Sequence, residues 1–252
     1  MNIILLEAVE CQEDPVVLIG RRAEHIVKIL KCEKGDWIRA GIINGRMGMA
    51  EIIDVRRKYP FQVVVNTHFD TSPPAKNPID FVLALPRPIM LRRILSQAAS
   101  LGVGTLHIVN ANRVEKSFWE SSIIEEGLFR EHLLQGLEQA QDTVVPEIVL
   151  HRRFKVFIED FLPCIISRYR YRLFAHPRSS RGLGTFFTAA EGGRVLAAVG
   201  PEGGWVDYEI QKFEEHGLHG FSLGPRIMKV DTAVINIHGR LMAEVERLHE
   251  NL

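Results

Sequence analysis

The sequence is short of cysteine, has no long apolar run and carries no net charge. Its three cysteines, Cys11, Cys32 and Cys164, are odd in number and far apart. That argues against a disulfide framework and a cysteine-based zinc site, and it suits a reducing cytoplasm. No stretch approaches the roughly 18 apolar residues of a membrane-spanning helix. The opening MNIILLEAVECQEDP has neither a basic leader nor a small-residue cleavage site. A cytoplasmic protein without a membrane partner is therefore expected. The 31 Lys and Arg balance 31 Asp and Glu, which excludes a generic polyanion binder. Internal repeats and low-complexity tracts are missing too.

What remains is an ordinary globular composition, 46% hydrophobic and 25% charged over 252 residues, enough for one large domain or two modest ones. The charge is uneven. Between Ile148 and Leu183 lie Arg152, Arg153, Lys155, Arg168, Arg170, Arg172, Arg178 and Arg181, against only Glu159 and Asp160. The segment before it, Glu115 to Glu147, is acidic. A locally basic face on a neutral protein suits a specific nucleic-acid contact, and equally two solvated faces that balance.

THFDTSPPAKNPID, Thr67 to Asp80, reads as a linker. Before it, NIILL, WIRAGII, GMAEIIDV and FQVVV read as short strands, and RAEHIVKIL as one helix with Ile26, Ile29 and Leu30 on a stripe. That predicts a small β-rich barrel. After the linker, apolar runs (IDFVLAL, TLHIVN, RLFAH, RVLAAVG) alternate with helical patterns, which predicts an α/β domain with a mostly parallel sheet. IMLRRILSQAASLG places Ile94, Leu95, Ala98 and Leu101 on one stripe, with Gly102 as its stop. VDYEIQKFEEHG has Asp207 as N-cap, Ile210 and Phe213 inward and Gly217 as C-cap. A last helix starts at Thr232 and carries Val234, Ile237, Leu241, Val245 and Leu248. The expected domains are residues 1–70 and 71–252.

Two loops can carry chemistry. AAVGPEGGW, Ala197 to Trp205, joins a buried-type strand to a helix, where α/β proteins place ligands. A phosphate cradle needs free backbone N–H groups and usually a lysine. Here Pro201 removes one donor, Glu202 brings a carboxylate, and no Gly-Lys-Ser/Thr follows. The loop suits a ligand with positive charge or hydroxyls, or a plain turn. SLGPRIMKVDTA, Ser222 to Ala233, sets Arg226, Lys229 and Asp231 before a helix N-terminus, which suits anion binding, substrate activation or an ordinary surface ion pair.

Together the loops resemble the C-terminal signature of the 16S ribosomal RNA uracil-N3 methyltransferases (RsmE-type) of the SPOUT superfamily. EHIVKILKCEKGD, LGVGTLHIVNANRVEK, EQAQDTVVPEI and FAHPR extend the resemblance over nearly the whole chain. It implies a PUA-like N-terminal β-barrel that helps hold RNA and a C-terminal methyltransferase domain with a deep trefoil knot. It also implies a homodimer, the cofactor S-adenosyl-L-methionine, and 16S ribosomal RNA or the small ribosomal subunit as partner, with no metal. Cofactor contacts carry over to Ala175, His176, Val199, Gly200, Glu202, Gly203 and Gly204 on one side. On the other they carry over to Leu223, Gly224, Arg226, Ile227, Met228, Thr232 and Ala233. Arg226 and Lys229 are expected to stabilise a uracil oxyanion, with Asp231 or Glu202 as proton acceptor. Arg21, Arg22, Arg87, Arg92, Arg93, Arg113 and Arg178 are expected on the RNA side. The same chemistry on another RNA, or a non-catalytic RNA-binding assembly factor, are the alternatives.

The sequence departs from the family pattern at Lys229 (usually Arg), Asp231 (usually Glu), Gln97 and Ser100 (usually Lys and Glu) and Asp142 (usually Arg). His216 and His219 straddle a helix end and a strand start, which speaks against a shared metal. His151, beside Arg152 and Arg153, reads as part of a surface basic patch. RYRYR, Arg168 to Arg172, fits either RNA stacking or a strand with one buried face. Trp119 reads as a packing aromatic.

Overall fold

The structure is a computed structural model that describes residues 2–124, 126–187 and 192–250. The chain forms two compact units: Met1–Ala75 with Leu133–Val145, and Lys76–His132 with Pro146–Leu252. The first unit is thus discontinuous in sequence, and residues expected in the second segment supply part of it.

The first unit is built on a five-stranded, curled sheet. Its strands are β1 (Ile4–Leu6), β2 (Val16–Ile19), β3 (Trp37–Ile42), β4 (Met47–Arg56) and β5 (Gln62–Thr71), in the order β1-β3-β4-β5-β2. β1 pairs parallel with β3 and the other pairs are antiparallel. β5 runs to Thr71, so the expected linker shrinks: Thr67–Thr71 is ladder-paired strand, held by β4. β2 escapes a pattern search because Val16 and Leu18 are buried while Val17 and Ile19 are exposed and equally apolar, so polarity does not alternate.

Helix α1 (Gly20–Glu24) continues as a π-helical segment, His25–Leu30. The buried residues are Ala23, Ile26 and Val27, whereas Ile29 is 67% exposed and Leu30 is exposed as well. The expected stripe is corrected there. A π turn bonds i to i+5 and is wider than the 3.6-residue turn on which the stripe was counted.

The second unit is a parallel six-stranded sheet. Its strands are β6 (Ile79–Ala84), β7 (Thr105–Val109), β8 (Glu147–His151), β9 (Tyr171–Ala175), β10 (Val195–Val199) and β11 (His219–Phe221), in the order β11-β9-β10-β6-β7-β8. β6 and β10 are buried along their full length, as central parallel strands require. The chain steps from β6 outward to β7 and β8, crosses to β9, returns to insert β10 between β9 and β6, and ends the sheet at β11. That reversal of strand order leaves a crevice at the strands' carboxyl ends.

Helices connect these strands and follow the last of them. They are α2 (Pro88–Ser100), α3 (Lys116–Trp119), α4 (Glu126–Ala140), α5 (Phe154–Val156), α6 (Leu162–Ile165), α7 (Asp207–Glu215) and α8 (Val230–Glu250). α2 and α8 pack together, and the expected Ile94, Leu95, Ala98, Val234, Ile237 and Leu241 are fully buried, whereas the expected Leu101 is half-buried and lies just past the end of α2. α8 begins at Val230, two residues before the expected Thr232. A second core cluster joins Val82, Ala84, Leu196 and Ala198 of the sheet to Phe157, Ile158, Leu162 and Phe213. Val82 and Ala84 share one pleat direction, so Phe81 and Leu83 point to the opposite face.

RYRYR resolves as packing. Tyr169 and Tyr171 are buried while Arg168 and Arg170 are exposed. The Tyr169 hydroxyl donates to Asp80 (2.7 Å), which also accepts from Arg194 (2.6 Å) and from the Thr105 backbone N–H (2.7 Å). Asp80 is 1% exposed, and these three donors offset its desolvation.

Candidate functional site

The loops after β9, β10 and β11 meet at one end of the parallel sheet around a cavity of about 450 Å³, within the size range of small-molecule sites. One wall is the turn Gly200–Gly204. Gly204 donates to the Pro201 carbonyl (2.8 Å) and adopts φ +72°, a conformation costly for a side chain. Trp205 follows, 4% exposed, its ring set edge-on against Phe213 at 4.9 Å. α7 then starts. Its N-cap is Val206 rather than the expected Asp207. Glu209 reaches back to accept from the Val206 N–H (2.9 Å) and also accepts from the Asn112 N–H (2.7 Å). The cap is therefore supplied from the third helical position, so the cap residue itself needs no polar side chain. Glu209 is 1% exposed, so this carboxylate locks the loop exit.

The opposite wall is the segment after β11. Ser222 Oγ accepts from the Gly224 N–H (3.1 Å), and Gly224 takes φ +109°. Leu223, Arg226, Ile227, Met228 and Lys229 follow along the lining. The end of β9 adds Ala175 and His176. Burial, and then Arg178, hold the His176 imidazole below its usual pKa, so it is neutral at neutral pH.

Of the residues expected at the cofactor, all but Thr232 line the cavity. Of those expected to act in catalysis, Arg226 and Lys229 line it and Asp231 does not. Asp231 is 8% exposed, 3.6 Å from the Arg93 guanidinium of α2, and accepts from the Thr232 backbone N–H. Glu202 lines the cavity and accepts from the Arg87 backbone N–H (3.2 Å) at the entry to α2.

The expected RNA-side arginines divide. Arg113 donates to the Gly203 carbonyl, and Arg87 joins the loop through its N–H. Arg92 and Arg178 are exposed. Arg21 and Arg22 hold Glu138 and Glu10 in two-pronged ion pairs. His151 is corrected: its ring lies 4.5 Å from Phe161 and 4.7 Å from Phe157, with Nε2 3.3 Å from His107 Nδ1. The strand β8 points this side chain inward while Arg152 follows outside. Trp119 is buried and donates to Asn110 (2.9 Å). Among the described residues no His, Cys, Asp and Glu group could hold a metal ion.

Sequence reasoning missed five lining residues. Trp205 has its indole Nε1 buried without a partner, a donor facing no acceptor. Pro177, Pro201, Phe221 and Val230 complete the set. The aromatic that closes the glycine motif was a usable signal for the first.

The pattern of the RNA methyltransferase domain matches residues 73–242. The chain is 32% identical to "Ribosomal RNA small subunit methyltransferase E" of Treponema pallidum, covering 92% of this chain and 87% of that protein. It is 25% identical to "Ribosomal RNA small subunit methyltransferase E 1" of Borreliella burgdorferi, covering 93% and 94%. Among solved structures, the Neisseria gonorrhoeae ribosomal RNA small subunit methyltransferase E bound to S-adenosyl methionine aligns with a TM-score of 0.74. It is 18% identical, covering 96% of this chain and 97% of that one, and it shares the fold. The matched domain pattern and the end-to-end relative agree: this chain belongs to the RNA methyltransferase family, within its ribosomal RNA small subunit methyltransferase E group.

Proposed function

We propose that this protein is an S-adenosylmethionine-dependent methyltransferase of 16S ribosomal RNA, acting on N3 of a uridine. The observation that carries the reading is the cavity walled by the two motif loops at the switch point of the parallel sheet. The names of its relatives support the substrate class. The lining fits the cofactor. Val199, Leu223, Ile227 and Met228 offer apolar surface for an adenine, Trp205 Nε1 is an unspent donor, and Glu202 is a carboxylate suited to a sulfonium or ammonium. When bound, S-adenosylmethionine supplies an electrophilic methyl group.

Uracil N3 must lose its proton to become a nucleophile, and charge then gathers on the base oxygens. Arg226 and Lys229 line the cavity and are the groups to stabilise it, worth on the order of 3 kcal/mol per well-placed donor. Of the two candidate proton acceptors, Glu202 lines the cavity, while Asp231 is spent on Arg93. Glu202 is therefore the proton acceptor in this reading, and Asp231 positions the start of α8. The curled first sheet acts as a PUA-like RNA-holding module, with Lys76–His132 and Pro146–Leu252 forming the knotted methyltransferase domain. The inward return of β10 between β9 and β6 supports the knot. Exposed Ile89 on α2 and Ile235 on α8, two helices that pack together, support a homodimer through that side. The protein works in the cytoplasm, where its RNA is.

The test is mass mapping of 16S ribosomal RNA from cells with and without the gene, together with titration of the protein with S-adenosylmethionine in a calorimeter. Loss of one N3-methyluridine and a saturable binding heat are expected. An unchanged RNA map with intact cofactor binding points to another RNA. The absence of any binding heat points to an assembly factor without activity.

A further inference from the structure

A second cavity, of about 550 Å³, lies beside the first, and His176 belongs to the lining of both. Its polar lining is Arg178, Ser179, Ser180, Arg181, Glu214 and His219. At its edge three flat groups associate. The Arg181 guanidinium sits 5.0 Å from the Phe186 ring centroid, and that ring lies within 15° of parallel to the His219 imidazole at 5.9 Å. Arg181 and His219 are exposed and Phe186 is half-buried, so this layer adds little to any core.

The segment carrying Arg178 and Arg181 is pinned by two main-chain bonds and one from a serine hydroxyl. Ser179 N–H donates to the His176 carbonyl (3.1 Å), Ser179 Oγ to the Gly220 carbonyl (2.7 Å), and Ser222 N–H to the Arg181 carbonyl (2.8 Å). Ser222 leads directly into Leu223 and Gly224 of the methyl-donor cavity. The platform is thereby held in register with that cavity at both ends of the segment.

The chemistry matches one kind of occupant. Two guanidiniums take a phosphate, flat rings and an arginine plane stack a base, and the exposed Glu214 carboxylate accepts from an N–H on a base edge. We propose that this cavity is a nucleotide subsite for the RNA, taking the nucleotide next to the one methylated. Phe186 and His219 form the stacking platform, and Arg178 and Arg181 are the phosphate clamp. The proposal rests on the reading of the first cavity as an RNA methyltransferase site.

The experiment uses the full chain and unmodified 16S ribosomal RNA as probe, with Phe186→Leu, His219→Ala, His219→Phe and Arg181→Ala. Affinity for S-adenosylmethionine is expected to stay within twofold of wild type in all four. The RNA Kd is expected to rise about tenfold in Phe186→Leu and His219→Ala, since base stacking on a protein ring is worth roughly that much or more. His219→Phe should return to within about threefold of wild type, and Arg181→Ala should flatten the salt dependence of RNA binding. Should Phe186→Leu fail to fold, the exposed His219 pair carries the test alone. RNA affinities within twofold of wild type in a cofactor-binding, RNA-methylating protein overturn the subsite and leave the first reading intact. A wild-type protein that binds neither cofactor nor RNA overturns both.

Discussion

Glu202 is where the proposed reading puts the charge that meets the ligand. Its carboxylate lines the first cavity, the proposed methyl-donor site, and already accepts a backbone N–H from Arg87. Glu202→Gln keeps an acceptor for that N–H and removes the charge, and with it the proposed proton acceptor, so the test reads binding and not turnover. The substitution is expected to weaken S-adenosylmethionine by about fivefold, on the order of 1 kcal/mol for a partly solvated charge. It should leave the uncharged product S-adenosylhomocysteine nearly unaffected. Calorimetric titration of both ligands checks it, and equal losses would contradict a charge role. Gly224 tests shape instead. Its φ of +109° lies in a region that side chains avoid, yet a Cβ there would meet nothing within 4 Å. Gly224→Ala should therefore cost about 1–3 kcal/mol through backbone strain alone. Cofactor affinity should fall with it, because relief of the strain shifts Leu223 and Arg226. Urea denaturation read beside the same titration separates the two effects.

Elements differ in how faithfully their patterns announce them. In α2 and α8 the 3.6-residue period holds, and the expected stripes are the buried ones except at Leu101, which lies past the end of α2 and is half-buried. In the helix after β2 the period changes to that of a π turn, and the stripe rotates away from Ile29. A matched pair of substitutions measures this. Ile26→Ala, at a fully buried site, should cost about 2–5 kcal/mol. Ile29→Ala, at a 67% exposed site, should lie within about 0.5 kcal/mol of wild type. Similar urea midpoints for the two would mean that the segment is an ordinary α-helix. β8 escapes a pattern search for another reason: its residues sit between a Pro-containing turn and Arg152, and EIVLH is too short for periodicity to separate strand from helix.

The molecule as a whole holds three histidines neutral. Burial pushes His107, His151 and His238 from the usual 6.5 down to about 4, with the His151 ring adding to the effect at His107. The folded state refuses protons there that the unfolded chain accepts. Their contribution is intact above pH 6.5 and is lost as pH falls toward 4. The urea midpoint is expected to drop between pH 7 and pH 5, and an unchanged midpoint over that window would contradict the burial of these rings.

The sequence by itself determined the class of the fold and the identity of the two loops. Apolar runs alternating with helical stripes can bury their faces only in an α/β arrangement, and glycine, proline and a lone glutamate constrain backbone and charge locally. Only the tertiary structure decided which of those residues meet. The insertion of β10 between β9 and β6 brings together two loops about twenty residues apart, joins His176 to both cavities and turns Asp231 onto Arg93. Leu133–Val145 likewise enters the first unit through bonds such as Asn44 N–H to the Thr143 carbonyl (2.7 Å). Strand order and side-chain direction are long-range outcomes of packing, and no local pattern encodes them.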